Sequence, residues 1–312
     1  MPHEIPRCQV IPLPDHQARF LIDGQERLRW HYGAQYPRPF FFPFNGPSGE
    51  SLTRMGHPGA PDHDHHRSIW FAHHIVAGET YWQDQSPARI RQKQWLAYQD
   101  SDAEAIMATK LGWFNGAGRE VMEQELVAAL RPGPDGESVL ELQSTLSAIE
   151  AKVELAKTNF GLLAVRVAKG LSAHFGGGRL TNSEGLAGEP AIFGQAAAWM
   201  DYTGQCAGTA VGGKRPARVE GITYFDHPSN PHHPAHWHVR DDGWMNAALC
   251  MEEGIVLTRG TPLLLRYLLH AHGGDLNGEL AGHIARRFAA SSAYRVVKSK
   301  APHTQFAIER GG

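Results

Sequence analysis

Glycine and proline punctuate this chain throughout: 34 Gly and 20 Pro are spread over 312 residues. Such punctuation cuts a chain into short pieces and leaves little room for long helices. The pieces themselves carry strand patterns. Residues 17–22 and 26–32 flank Asp23-Gly24, a pair suited to the positive-φ backbone of a tight hairpin. Residues 119–130 and 137–149 flank Pro132-Gly133-Pro134-Asp135-Gly136; in the second arm Leu140, Leu142 and Leu146 alternate with Glu141, Gln143 and Thr145. That alternation predicts a half-buried strand with one wet face. Residues 151–158, 162–174, 217–225 and 262–272 also read as strands. One segment, 275–290, has helical spacing, with Leu276, Leu280, Ile284 and Phe288 four apart and Asp275 placed to cap it. Gly176-Gly177-Gly178 reads as a loop, outside any strand–GxGxxG–helix context. With no repeat or linker, residues 1–312 are expected to form a single all-β domain, a large β-sandwich with one short C-terminal helix.

Charge narrows the partners. Lys and Arg total 30 against 32 Asp and Glu, a net charge of −2, which argues against electrostatic capture of nucleic acid or an anionic membrane. No apolar run approaches the roughly 18 residues of a membrane helix. The first ten residues hold Glu4 and two prolines without an apolar core, so no secretory signal is expected. Cys8, Cys206 and Cys250 are odd in number and lack metal spacing. They fit free thiols in a reducing compartment, and the expected location is cytoplasmic.

Histidine carries the functional signal. Of 19 His, six lie between His57 and His74 (His57, His63, His65, His66, His73, His74) and five between His227 and His238. His270 and His272 form a further close pair. Imidazole transfers protons near neutral pH and binds metals, so such clustering points to segments converging on a polar site. In His236-Trp237-His238-Val239-Arg240 an extended chain puts Trp237 and Val239 on one face and His236, His238 and Arg240 on the other. Two imidazoles and a guanidinium there would grip a polyhydroxylated or carboxylated ligand; an ordinary exposed polar sheet face gives the same pattern. From His63 to His74 both faces mix polar and apolar residues, so periodicity does not decide which is buried.

His63-x-His65 and His236-x-His238 each present two imidazoles in the manner of a metal-binding barrel, and a divalent metal is the cofactor these four residues would take. Spacing does not close the ligand set, and the cofactor stays open. Carboxylates are fewer. Glu184 and Asp226 lie in glycine- and proline-punctuated loops; either would pair with His66 or His238 as an acid–base couple, or serve a turn. Nucleophile motifs of the G-x-S-x-G type are absent. Trp70 and Trp237 fall inside the His clusters, with Trp82 and Trp244 nearby, and indole faces beside polar donors suit sugar rings.

His65-His66-Arg67-Ser68-Ile69-Trp70-Phe71-Ala72-His73, followed by Gly78-Glu79-Thr80-Tyr81-Trp82, resembles the "HHRG-wf-H…G-dfW" block of a bacterial family known as PmoA-like or DUF6807-like. The likeness continues through Asn182-Ser183-Glu184-Gly185, Ala198 to Gly204, Gly221 to Asn230 and Trp237-His238-Val239-Arg240. Ser68 stands where the family usually has Gly, and Asp241-Asp242-Gly243-Trp244 also departs from its pattern. The resemblance implies a galactose-mutarotase-like supersandwich and a place in carbohydrate metabolism. The expected activity is acid–base chemistry on a sugar or oxidised (keto) sugar, as an epimerase, lyase or hydrolase. In that reading Glu184 or Asp226 is the base and His66 or His238 the acid. His65, Arg67, Trp70, His73, Trp82, His236 and Arg240 contact the carbohydrate. The alternatives are a metal-dependent enzyme using His63, His65, His236 and His238, and a carbohydrate-binding protein without catalysis.

Overall fold

At Asp23 and Gly24 the backbone turns through φ of 50° and 76°, the conformation the sequence pair favours. The turn joins strands Gln17–Ile22 and Gln25–His31. The computed structural model describes residues 4–60, 63–207 and 216–311. From this hairpin grows an antiparallel sheet of eight strands. Its order is Cys8–Leu13, Gln17–Ile22, Gln25–His31, Phe40–Phe44, Ile69–His73, Gly161–Arg166, Trp244–Ala248 and Trp237–Arg240. A second eight-stranded sheet runs Arg179–Asn182, Trp199–Ala207, Ala217–Asp226, Leu263–Gly273, Ser138–Ala148, Glu120–Pro132, Ala105–Phe114 and Arg89–Gln99.

The sheets face each other across one apolar cluster. Ile69, Phe71, Leu163, Val165, Trp237, Val239 and Met245 enter it from the first sheet, and Leu140, Leu142, Tyr202, Tyr224, Tyr267 and Leu269 from the second. Strict alternation explains these lists, since neighbours in a strand point to opposite faces. Trp237 and Val239 point inward as their spacing predicts. Among the described residues strand makes up 52% and helix 9%, so the far-ultraviolet circular dichroism should have a β-type minimum; a helix-dominated spectrum would contradict this architecture.

Three local expectations need correction. The outer side of strand Ser138–Ala148 is not wet: Glu141 is 1% exposed. A C-terminal hairpin, Tyr294–Lys298 with Phe306–Arg310, covers that side. Burial is tolerated because Glu141 accepts hydrogen bonds from Arg131, Arg266 and Arg310, while Gln143 pairs with the Tyr294 backbone. The helix spans Gly278–Ala289, capped by Asn277, whose side chain accepts from the Leu280 N–H at 3.0 Å. Asp275 pairs with Arg179 instead. Finally, this helix is joined by single helical turns at Ala173–Gly176 and Glu189–Ile192, too short to leave a periodic signal.

Candidate functional site

On strand Ile69–His73, Trp70 and Ala72 point away from the inter-sheet core, and with Phe40, Ala164, Trp82 and Trp244 they form a second apolar cluster on the outer face of the first sheet. Trp244 reaches it because it is the cross-strand partner of Arg166 in the neighbouring strand, so both side chains share this face. The indoles of Trp70, Trp82 and Trp244 touch pairwise, with ring centres 5.2 to 5.7 Å apart. His66 lies 4.6 Å from Trp244 and 5.8 Å from Trp70. From the other histidine-rich segment His238 comes to 5.9 Å from the same Trp244 and packs edge-on to Phe160 and Phe193. The two segments, far apart in sequence, therefore meet over one tryptophan.

The polar groups of this face are unusually short of partners. Trp30, Trp95, Trp113 and Trp237 each donate their indole N–H to a protein oxygen. The buried N–H groups of Trp70, Trp82 and Trp244 have no protein acceptor, and neither does Nδ1 of His66. Most buried polar atoms in a folded protein are satisfied, and four of the exceptions here lie in this one cluster. Beside them stand two ion-pair clusters. Asp84 accepts from both Nη atoms of Arg67 and, at 3.0 Å, from Arg38. Asp242 accepts from Arg166 at 2.6 Å and pairs with His57 at 2.8 Å. Burial opposes ionisation of both acids, yet the hydrogen bonds and charges of these neighbours hold each below the usual carboxylate range.

Both imidazoles are kept neutral. Burial, reinforced by His65, Arg166 and His63, drives His66 far below the ordinary histidine value. Burial brings His238 down to about 4, against the pull of the Asn159 carbonyl. Nδ1 of His238 lies 2.9 Å from that carbonyl. A carbonyl only accepts, so Nδ1 carries the proton and Nε2 presents a lone pair.

Among the residues expected from sequence, His66, Trp70, Trp82 and His238 share this face. His65 joins through its ring contact with His66 at 4.3 Å. Arg67 stands at the margin, held by Asp84 and over the ring of Tyr36. Arg240 lies at the opposite margin, exposed, paired with Glu189 and over the Phe193 ring at 4.7 Å. His236 is half-buried just before the strand, its carbonyl accepting from Ala248. His73 lies apart from this face: it is fully buried with the core-facing parity of Ile69 and Phe71, and Nε2 pairs with the Ala156 carbonyl. The two carboxylates lie away from this face. Asp226 ends a strand of the second sheet and spends its oxygens on Asn230, His233 and the Ala235 N–H. Glu184 is exposed and accepts from its neighbour Ser183. His63 stacks at 5.5 Å on His65, but among the described residues no three His, Cys, Asp or Glu side chains are grouped to hold a metal ion. His63, His65, His236 and His238 thus do not form the expected set, since His238 turns toward Phe160 and Phe193.

Sequence reasoning missed Arg38, Asp84, Arg166 and Asp242. Arg166 had a signal: it is a lone charge closing the apolar run Leu162 to Val165. Ser68 explains how the histidines arrive. Its φ of 57° is left-handed, and it breaks the extended chain just before Trp70. Glycine adopts that conformation most readily.

A groove of about 580 Å³ lies elsewhere, between the Gly278–Ala289 helix, the C-terminal hairpin and the second sheet. It holds none of the expected site residues. Its Arg131 and Arg310 are already committed to Glu141, so the orphaned donors of the tryptophan face make the stronger case for a ligand.

Comparison with curated proteins gave no match. Among solved structures the chain is similar to a GalM/aldose epimerase homologue from C. elegans, at 7% identity and a TM-score of 0.35, covering 86% of this chain and 99% of that one. The model of a family of unknown function, DUF6807, matches residues 17–286. With that match over most of its length, the chain belongs to the DUF6807 family.

Proposed function

We propose that the tryptophan face of the first sheet binds a carbohydrate and performs acid–base chemistry on it. The supporting observation is the cluster of three buried indole N–H groups without acceptors, set in a buried aromatic cluster beside two neutral imidazoles. A sugar supplies both halves of what this surface lacks: hydroxyl oxygens for the donors and C–H faces for the rings. The roles differ from those the sequence suggested. Glu184 and Asp226 make no contact with His66 or His238, so the base of the proposed reaction is His238, through the lone pair on Nε2. His66 serves as its partner and Arg67 orients the substrate at the margin. Epimerisation and elimination begin with such a proton abstraction, and in hydrolysis the same base would take the proton from the attacking water.

A panel of aldoses, keto-sugars and glycosides tests this reading. Turnover of at least one member, abolished by substitutions on the tryptophan face, is the expected result. Binding without turnover across the panel would favour the non-catalytic reading, which the commitment of nearby carboxylates to arginine supports. This proposal treats residues 1–312 as one domain, because both sheets feed one apolar cluster. Thermal unfolding should accordingly give a single cooperative transition; two separated transitions would divide the chain.

A further inference from the structure

Charge on the tryptophan face is unbalanced. Arg38, Arg54, Arg67 and Arg166 stand in it or at its edge, with Asp84 and Asp242 as their carboxylates. Arg54 donates to backbone carbonyls alone, from Nε to Val167 and from Nη2 to Asp242, and its Nη1 is buried without a partner. Arg240 is neutralised separately by Glu189. The surrounding histidines do not supply the missing negative charge. Among the described residues these four guanidinium groups meet only two carboxylates, and for the buried Arg38 and Arg166 an uncompensated charge is costly.

Arg166 shows where the compensation belongs. Its side chain is 0% exposed. Nη1 donates to Asp242, while Nε and Nη2 are both buried and unpaired. Nε–H and Nη2–H form the side-on edge of a guanidinium, two parallel donors matching the two oxygens of a carboxylate. Arg166 is also the cross-strand partner of Trp244, so this edge belongs to the same face as the orphaned indoles.

We infer that the carbohydrate of this face is a sugar acid, whose carboxylate is received by the side-on edge of Arg166 with Arg54 beside it. The inference rests on the carbohydrate reading above and narrows its substrate class. A planar carboxylate fits better than a phosphate dianion, because one free two-donor edge meets two oxygens and leaves none of the ligand's charged oxygens bare. Hydroxyl groups of the ring then face Trp70, Trp82, Trp244 and His66.

Calorimetric titration of the whole protein with D-glucuronate, D-galacturonate and D-gluconate, each beside its neutral parent sugar or methyl ester, tests this. At least one acid should bind about ten-fold or more tightly than its uncharged counterpart, as expected for a charge-assisted pair. Its affinity should fall with added salt. Arg166→Met should remove this preference. Because a buried arginine can be needed for folding, the acid-to-ester comparison in the unaltered protein carries the test independently. An acid and its ester binding equally well would overturn the carboxylate assignment and leave the carbohydrate reading standing. Tighter binding of galactose 6-phosphate than of any acid would reassign the edge to phosphate and overturn it too. Absence of binding by every sugar and sugar acid would overturn both readings.

Discussion

Replacing His238 with alanine should lower turnover of the sugar substrate by a factor on the order of 10² or more while leaving the sandwich folded. The expectation follows from the position of one atom. Nδ1 of His238 is tied to the Asn159 carbonyl at 2.9 Å, and that bond fixes both the ring and its tautomer, leaving Nε2 as the proton acceptor. His238→Asn separates this role from a structural one. Asparagine keeps a donor at the position of Nδ1 for the Asn159 carbonyl but has no basic nitrogen. If His238 handles a proton, the Asn variant should melt near the parent temperature and remain as slow as the Ala variant. If the ring only supports the Asn159 loop, Asn should restore activity and stability together. Full activity in a folded His238→Ala protein would remove the residue from the reaction.

Acidification should destabilise the protein well before its carboxylates are protonated. His73 and His238 are each lowered to about 4 from an ordinary value of 6.5, chiefly by burial. Above pH 6.5 both are neutral whether the chain is folded or not, and their effect on stability is nil. Between pH 6.5 and 4 the unfolded chain takes up protons that the folded chain refuses. Stability is therefore lost as pH falls through this window and levels off below it, by up to about 3 kcal/mol for each of the two. His66 and His227 shift in the same direction. His272 opposes them: despite burial its hydrogen bond and charge pairing with Asp201 raise its value, so its contribution is fully present below 6.5 and fades as pH rises. The sum favours acid lability, and the melting temperature should drop by about ten degrees or more between pH 7.5 and 4.5. A melting temperature that stays level or rises over that interval would contradict the assignment of neutral, buried histidines.

The sequence conveyed strand positions better than it conveyed neighbourhoods. Asp23-Gly24 specifies its own backbone, and Trp237 and Val239 reveal the inward side of their strand by simple alternation. The same rule failed between His63 and His74 for a physical reason. Ser68 is left-handed, so Arg67 escapes the parity of Ile69 and Phe71 and reaches Asp84, while His73 keeps that parity and is buried. Loop position was no guide for the acids. Asp226 is the last residue of a strand, but that strand belongs to the second sheet, and its carboxylate is consumed in pinning the loop to Ala235. Arg166 and Asp242, whose ion pair borders the tryptophan face, are 76 residues apart, and only the pairing of strands Gly161–Arg166 and Trp244–Ala248 brings them together. The covered strand face at Glu141 was hidden for a similar reason: its lid is supplied by the last residues of the chain.

The central claim, that the three orphaned indoles form the floor of a carbohydrate site, is tested most directly by nuclear magnetic resonance of the tryptophan side chains. Eight indole N–H groups are present in the chain, and each gives a signal in a region separate from the backbone amides. Protein labelled with ¹⁵N at tryptophan would be titrated with the neutral sugars and sugar acids named above, with the signals assigned by single Trp→Phe substitutions. The account predicts that the signals of Trp70, Trp82 and Trp244 move together as ligand is added. Those of Trp30, Trp113 and Trp237, already bonded to protein oxygens, should stay in place. Binding that shifts other tryptophans while these three remain fixed would place the ligand elsewhere and contradict the account.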